Sequence, residues 1–551
     1  MKIHLLVAAF LSFSLIGTAQ SPDWLWAVSA SGINDDFVES LAVDASGNRF
    51  LTGSFESATI TFGTYTLTNS GESDMFIVKY DAAGNVVWAK SAGGIYADEG
   101  FSVATDAAGN CFVVGYYWST SIIFDTDTLF NSLGHDVFVV KYDPSGNVIW
   151  TRGTTGSFDN QAVSVAVDNS GNCYVAGFFK TLFLYFGSDT LTNAASNSPD
   201  MFIVKYDVGG NALWAKSAGS IGYEEARSIA VDSDGNSYVT GYFESSNISF
   251  GATTLTNANP GSRDVFVVKY DTAGNVLWAS SAGGNSIDDG RGIGVDGFGN
   301  SYITGTFISP SITFGTTTLT NAGANEDDLF LVKFDSIGNV VWAKSAGGTL
   351  DDPVRSMAVD AAGNCYITGY FKNTTLNFNT VTLTNTVSGE DDIYIAKYDA
   401  NGNVIWAKSV GGVNSDRSHA IASDASGYLT VAGYFTSPTI SFGASTLTNS
   451  GTGTYDLFIS KLDNVTRTEV LPNEESFSIF PNPAGTNLII QSSVEINEVK
   501  VFDCVGRQIF NSQLSRPTTS FRLSTVNYSA GIYFVEIISS NKKETVKFVR
   551  E

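Results

Sequence analysis

Apolar and polar positions alternate in short runs along most of the chain, and nearly every run is closed by Gly, Asn or Asp, as in SYVTGYF from Ser237 and VVWAKSA from Val86. β-Branched and aromatic residues at a spacing of two, with this punctuation, predict strands rather than helices. The runs recur as a set. The phrase KYDAAGNVVWAKSAGG at residues 79–94 returns in variants at 141, 205, 269, 333 and 397, a period of 62 to 64 residues. Such a period means one supersecondary unit, copied and stacked.

Each unit reads as four strands. Strand a is predicted at SLAVD and its counterparts, ending at Asp44, Asp106, Asp168, Asp232, Asp296, Asp360 and Asp424. Strand b is SYVTGYF, strand c MFIVKYD and strand d VVWAKSA, each with its variants. The chain reads D-x-x-G-N between a and b and again between c and d. Asp caps such a turn with its side chain and Gly takes the left-handed position, so both connections are tight hairpins at one end of the sheet. The opposite end receives the long d-to-a loops and the b-to-c segments. The latter carry a pattern like ISFGATTLTN, which predicts an extra two-stranded hairpin.

Strands a, b and c each occur seven times, and so does d, marked by Trp26, Trp88, Trp150, Trp214, Trp278, Trp342 and Trp406. Their order is offset. The chain opens on a lone strand d, WLWAVSA at residues 24–30, and its last a-b-c set has no d after it. Pairing the first strand with the last three closes a ring; otherwise two sheet edges stay open. The expectation is an all-β fold, a seven-bladed β-propeller of four-stranded blades with extra b–c hairpins, closed by the N-terminal strand. The tryptophans are expected between sheets, Lys79 and its counterparts as structural polar partners, and the small residues at Ala42 and its equivalents as relief from crowding at the axis.

Composition adds limits. The 55 glycines, 38 phenylalanines and 23 tyrosines suit a turn-rich β protein, and 55 acids against 30 bases give a net charge of −25. That charge disfavours nucleic acid and anionic membrane as partners. MKIHLLVAAFLSFSLIGTAQ has Lys2, an apolar run and small residues ending at Ala19, which predicts an export signal over residues 1–19 and no membrane anchor in the mature protein. Cys111, Cys173 and Cys365 follow a Gly-Asn pair at equivalent repeat positions, too far apart for disulfides, and are read as unpaired.

The period stops after Asp463. Residues 464–475 read as a polar linker between the propeller, residues 20–463, and a second domain at 476–551, where alternating strands with turns at PNP, VGR and SAG suggest a small β-sandwich. FPNPAGTNLII, VFDCVGRQI, GIYFVEI and TVKFV closely resemble the type A C-terminal sorting domain of the type IX secretion system. The resemblance implies Sec export, outer-membrane passage by that machinery acting on residues 476–551, and release or surface attachment. FGTTTLTNAG, DLFLVKFDSIGNVVWAKSAGG and SMAVDAAGNCYITGYF resemble the SBBP bacterial β-propeller repeat, which implies a propeller without a single activity.

Candidate chemistry lies at the long-loop end. Eight residues before each strand-a aspartate stand Asp36, Asp98, Asn160, Glu224, Asp288, Asp352 and Asp416, read as an open-face ligand-binding ring. A second ring, Asp74, Asp136, Asp200, Asp264, Asp328, Asp392 and Asp456, begins strand c. Ca²⁺ is the cofactor such carboxylates could hold; capping of local backbone donors is the competing reading, and no cofactor is called. No catalytic motif is present, and His135 and His419 are the histidines left after the export signal. The expectation is a secreted or cell-surface binding or adhesion scaffold whose ligand is an extracellular glycan or protein. The alternative is a polysaccharide hydrolase or lyase at the channel mouth, favoured if one blade's exceptional carboxylate shares a pocket with His419.

Overall fold

A computed structural model describes residues 22–131, 133–195, 197–323, 325–451, 453–463, 477–539 and 543–551. The predicted export signal and linker lie outside them. Among the described residues every regular element is a strand, and no helix is long and apolar enough to cross a membrane. Contacts divide the chain into two compact units, one ending at Arg467 and one running from Thr468 to Glu551.

The first unit holds seven four-stranded antiparallel sheets in the order a-b-c-d. The first comprises Asp36–Val43, Arg49–Phe55, Asp74–Tyr80 and Val86–Ala92. Strand a is longer than its sequence signature, beginning at the ring residue rather than four residues later in every sheet but the sixth, where it begins at Val354. The seventh sheet joins Asp416–Ser423, Leu429–Phe435 and Asp456–Leu462 to the N-terminal strand Trp24–Ala30. There Trp26 stands opposite Lys461 and Ser29 opposite Phe458, so the offset start of the chain completes the last sheet. Each strand a packs on the strand a of the next sheet, and that of the seventh packs on that of the first. Gly294 shows why small residues recur there: a Cβ would lie 2.5 Å from Val359 of the neighbouring strand a.

Strands b and c are buried along their whole length because sheets cover them on both faces. The predicted b–c hairpins are present; along Thr59–Phe62 the side chains alternate exposed and buried, Leu67 is buried in Tyr65–Thr68, and Phe62 lies against Phe76 at 5.1 Å. Both D-x-x-G-N turns form as their chemistry demands. Asp44 Oδ1 accepts from the Ser46 and Asn48 amides at 2.9 Å, its Oδ2 from Asn48 Nδ2 at 2.7 Å, and Gly47 takes φ 76°.

Strand d and strand c together clamp neighbouring sheets. Trp214 Nε1 and Lys205 Nζ both donate to the Thr272 carbonyl in the next sheet's c–d turn, at 3.1 and 3.4 Å. Lys205 also faces Asp168 at 3.9 Å and lies over the Tyr174 ring. Cys111, Cys173 and Cys365 are buried and free, and Cys504 is exposed and free.

In the second unit Phe477–Phe480, Asn487–Asp503, Gly531–Ser539 and Lys543–Arg550 follow one another in a sheet, with Gln508–Ser524 also paired to Asn487–Asp503. The long strand changes partner midway. Its first half pairs Phe477–Phe480, its second half Gly531–Ser539. Leu488, Ile490, Val499, Val501, Val535 and Phe548 form the core.

Candidate functional site

The residues expected to form an open ligand ring, Asp36, Asp98, Asn160, Glu224, Asp288, Asp352 and Asp416, are all fully buried. They pin loops instead. Asp98 accepts from the Gly94 amide at 2.7 Å, the Ser119 hydroxyl at 2.7 Å and the Trp118 amide at 3.0 Å, tying the d-to-a loop to the end of strand b. Asp288 with Ser309, Asp416 with Ser437 and Asp352 with Asn373 repeat the arrangement. The second ring is buried too, Asp200 and Asp264 accepting from the Ala194 and Ala258 amides at 2.7 Å.

The two rings face each other across consecutive sheets. Burial pushes Asp288 up to about 7 and Asp264 up to about 6, and each pair adds like-charge repulsion: Asp264 with Asp288, Asp328 with Asp352, Asp392 with Asp416, Asp456 with Asp36. The third sheet departs from this. Its Asn160 turns Nδ2 toward Asp136 Oδ1 at 3.5 Å, a donor where the other sheets place a second acid. Among the described residues no group of three or more His, Cys, Asp or Glu side chains is placed to hold a metal ion.

The positions that differ from unit to unit lie deeper in strand a. Each strand a carries a β-bulge at the same place: Val38 opposes Gly53 and Ser40 opposes Thr52, which leaves Glu39 unpaired. A bulge re-aims its extra residue. The bulged residues are Glu39, Phe101, Val163, Arg227, Arg291, Arg355 and His419. All seven line one cavity of about 250 Å³, together with Gln161. An otherwise uniform repeat thus converges on one asymmetric space. The signal was present in the sequence, as a register of strand a where the near-copies hold five kinds of side chain, but it falls before the SLAVD signature, beside the equally variable register from Phe37 to Arg417, and is invisible when only common residues are compared.

On one side of this space Phe101 begins a series of aromatic rings. Phe101 packs on Tyr116 at 5.4 Å, Tyr116 stacks on His135 at 4.3 Å, His135 meets Trp118 at 5.5 Å, and Trp118 meets Tyr96 at 5.1 Å. Trp118 is 42% exposed and Tyr96 40%, so the series runs from the cavity to open solvent. The other side is cationic. Arg227 pairs with Glu225 at 2.8 Å and Arg291 with Asp289 at 3.3 Å, while Arg355 donates to the Tyr370 hydroxyl at 2.6 Å. Between the two sides, His419 Nε2 lies 3.0 Å from the Tyr434 hydroxyl and Nδ1 3.7 Å from Glu39. Burial holds the His419 imidazole below its usual value, neutral near pH 7.

Comparison with known proteins agrees with this architecture. Residues 478–551 match the family model of the secretion system C-terminal sorting domain. Residues 218–242 and 278–306 match that of the SBBP beta-propeller repeat. An uncharacterized WD repeat-containing protein of Acanthamoeba polyphaga mimivirus is 27% identical over 456 residues, 67% of this chain and 32% of the relative. The regulatory protein FlaEY of Caulobacter vibrioides is 25% identical over 369 residues, 62% of this chain and 36% of the relative. The chain spans about a third of the length of these curated relatives. Similar solved structures include the Pan2 WD40 domain of Neurospora crassa, 8% identical with TM-score 0.37 over 81% of this chain and 98% of that one. An apocarotenoid oxygenase of Synechocystis is 9% identical with TM-score 0.36 over 80% and 96%. The chain thus carries SBBP beta-propeller repeats within residues 218–306 and, at residues 478–551, a type IX secretion C-terminal sorting domain, which directs it to the cell surface or the extracellular space.

Proposed function

We propose that the repeat body, residues 20–463, is a closed seven-bladed propeller that binds an extracellular glycan at the long-loop end of its channel, and that residues 476–551, a small β-sandwich, engage the secretion machinery. One observation carries the binding reading: the aromatic series from Phe101 through Tyr116 and His135 to exposed Trp118 and Tyr96. Sugar rings present apolar C–H faces that stack on aromatic rings, and here two exposed aromatics, Trp118 and Tyr96, lie together. A glycan array probed with the full chain tests it. Binding that Trp118→Ala abolishes without lowering Tm supports the reading; no binding to any glycan removes it.

A hydrolase or lyase reading gains one point and loses another. Glu39 and His419 do share the cavity, as that reading requires. His419 Nε2, however, is taken up by the Tyr434 hydroxyl at 3.0 Å, and Nδ1 faces Glu39 at 3.7 Å, so the pair is arranged toward protein groups. The balance favours a binding site.

A further inference from the structure

We infer that the cavity selects an acidic glycan, seating a carboxylate or sulfate group against the guanidinium groups of Arg227, Arg291 and Arg355. This rests on the glycan reading above and adds the charge of the ligand. The chain holds 30 basic residues against 55 acidic ones, yet three consecutive sheets place arginine at the same bulge. Nothing in the fold asks for it, since Phe101 and Val163 occupy the same register elsewhere.

Bringing three cations to one space has a cost that an anion removes. Burial lowers the Arg291 guanidinium from its usual value, and the neighbouring charge of Arg355 and Arg227 lowers it further. Arg227 and Arg291 are partly compensated by Glu225 and Asp289. Arg355 is not: among the described residues no carboxylate pairs with it, and its buried Nε has no acceptor. Its fork is nonetheless held in place, stacked 5.2 Å from the Tyr370 ring and bonded to the Tyr370 hydroxyl, with Arg417 on the same ring at 4.7 Å. A fixed planar fork with unused donors is the arrangement that recognises carboxylate or sulfate. Phe101, the member of the aromatic series that lines the same cavity, supplies apolar surface for a sugar ring beside the guanidinium groups.

The net charge of −25 sharpens the test, because it repels polyanions everywhere except at such a site. Isothermal titration of the full chain with polygalacturonate, dextran sulfate and neutral dextran is the experiment. We expect salt-sensitive binding of polygalacturonate, dextran sulfate or both, the pattern identifying the acid group, and a loss of about tenfold or more in Arg355→Gln with partial retention in Arg355→Lys. Arg291→Gln provides a second variant, with Tm confirming that each stays folded. Dextran bound as tightly as the polyanions, or polyanion binding unchanged in both glutamine variants, overturns the inference while leaving the glycan reading intact. Absence of binding to all three, together with a blank glycan array, overturns both.

Discussion

The indole of Trp88 covers Gly146 so closely that a Cβ at that glycine would lie 2.9 Å from the ring, and its Nε1 donates to the Pro144 carbonyl two residues earlier at 3.2 Å. Lys79 Nζ reaches the same carbonyl at 2.8 Å. The relationship joins consecutive sheets and returns as Trp150 on Gly210, Trp214 on Gly274, Trp278 on Gly338 and Trp342 on Gly402. The recurring glycine therefore answers two demands at once, a left-handed backbone and room for a neighbour's indole.

These demands separate by mutation. Gly47 also has positive φ, 76°, but a Cβ there meets only Ala82 at 3.6 Å. Gly47→Ala should cost about 1 kcal/mol from backbone conformation alone. Gly146→Ala adds overlap with a packed ring and should cost about 2 to 4 kcal/mol. Chemical denaturation of both variants measures the difference, and equal losses would show that the indole yields freely.

The buried carboxyl pairs predict how stability depends on pH. Asp36, Asp288 and Asp352 are pushed up to about 7 by burial, with like-charge neighbours adding to it, so the folded state holds protons that the unfolded chain releases near 4. A raised folded value contributes stability that is full below the unfolded value and is lost as pH rises through the folded one. Tm should accordingly be higher at about pH 5.5 than at about pH 8. The turn aspartates oppose this only in stronger acid, since hydrogen bonds from Asn211 and Asn275 hold Asp207 and Asp271 below the usual carboxylate range.

Asn160 is a natural control for the same pairs. Asp288→Asn should reproduce its geometry, the amide donating toward Asp264, whose Oδ1 lacks a partner. The variant should match or exceed the parent's stability at about pH 8, by up to ~1 kcal/mol, and lose that advantage at about pH 5.5. A loss of stability at both pH values would place the Asp288 carboxylate among the fold's requirements.

Closure by the N-terminal strand is testable by removal. Trp24–Ala30 covers the edge of Asp456–Leu462, and Trp24 packs edge-on to Phe442 at 4.8 Å. A chain lacking residues 24–30 should expose that edge and associate or unfold, seen as higher-mass species in size exclusion and a lost cooperative melting transition. A monomer with an unchanged Tm would contradict the role assigned to the strand.

The glycan platform is separable from the fold. Trp118 occupies a position where other units carry Glu56, Lys180, Glu244, Ile308, Lys372 and Thr436, so an aromatic ring there serves no shared packing. Trp118→Ala should leave stability within about 0.5 kcal/mol of the parent while removing binding.

The repeat made the scaffold readable. Twelve copies of the D-x-x-G-N turn, the alternating strands and the misplaced first strand each state a local requirement: a capped left-handed turn, a two-sided buried strand, an edge needing a partner. The rings of acids misled for a related reason. Recurrence in every unit marked Asp36 and its equivalents as important, but what recurs in every unit serves what every unit must do, and here that is to pin a loop at a buried junction.

Local physics, then, is what the sequence alone determined: strand, turn, period, the offset that closes the circle, and the sorting module after it. Only the tertiary structure decided which side chains share a space. Glu39, Phe101 and Arg355 stand at one register of the repeat in separate units, but the period does not say that this register faces a shared space. They meet because a bulge turns one residue of each inner strand toward a common axis, a convergence that exists only once all seven sheets are assembled.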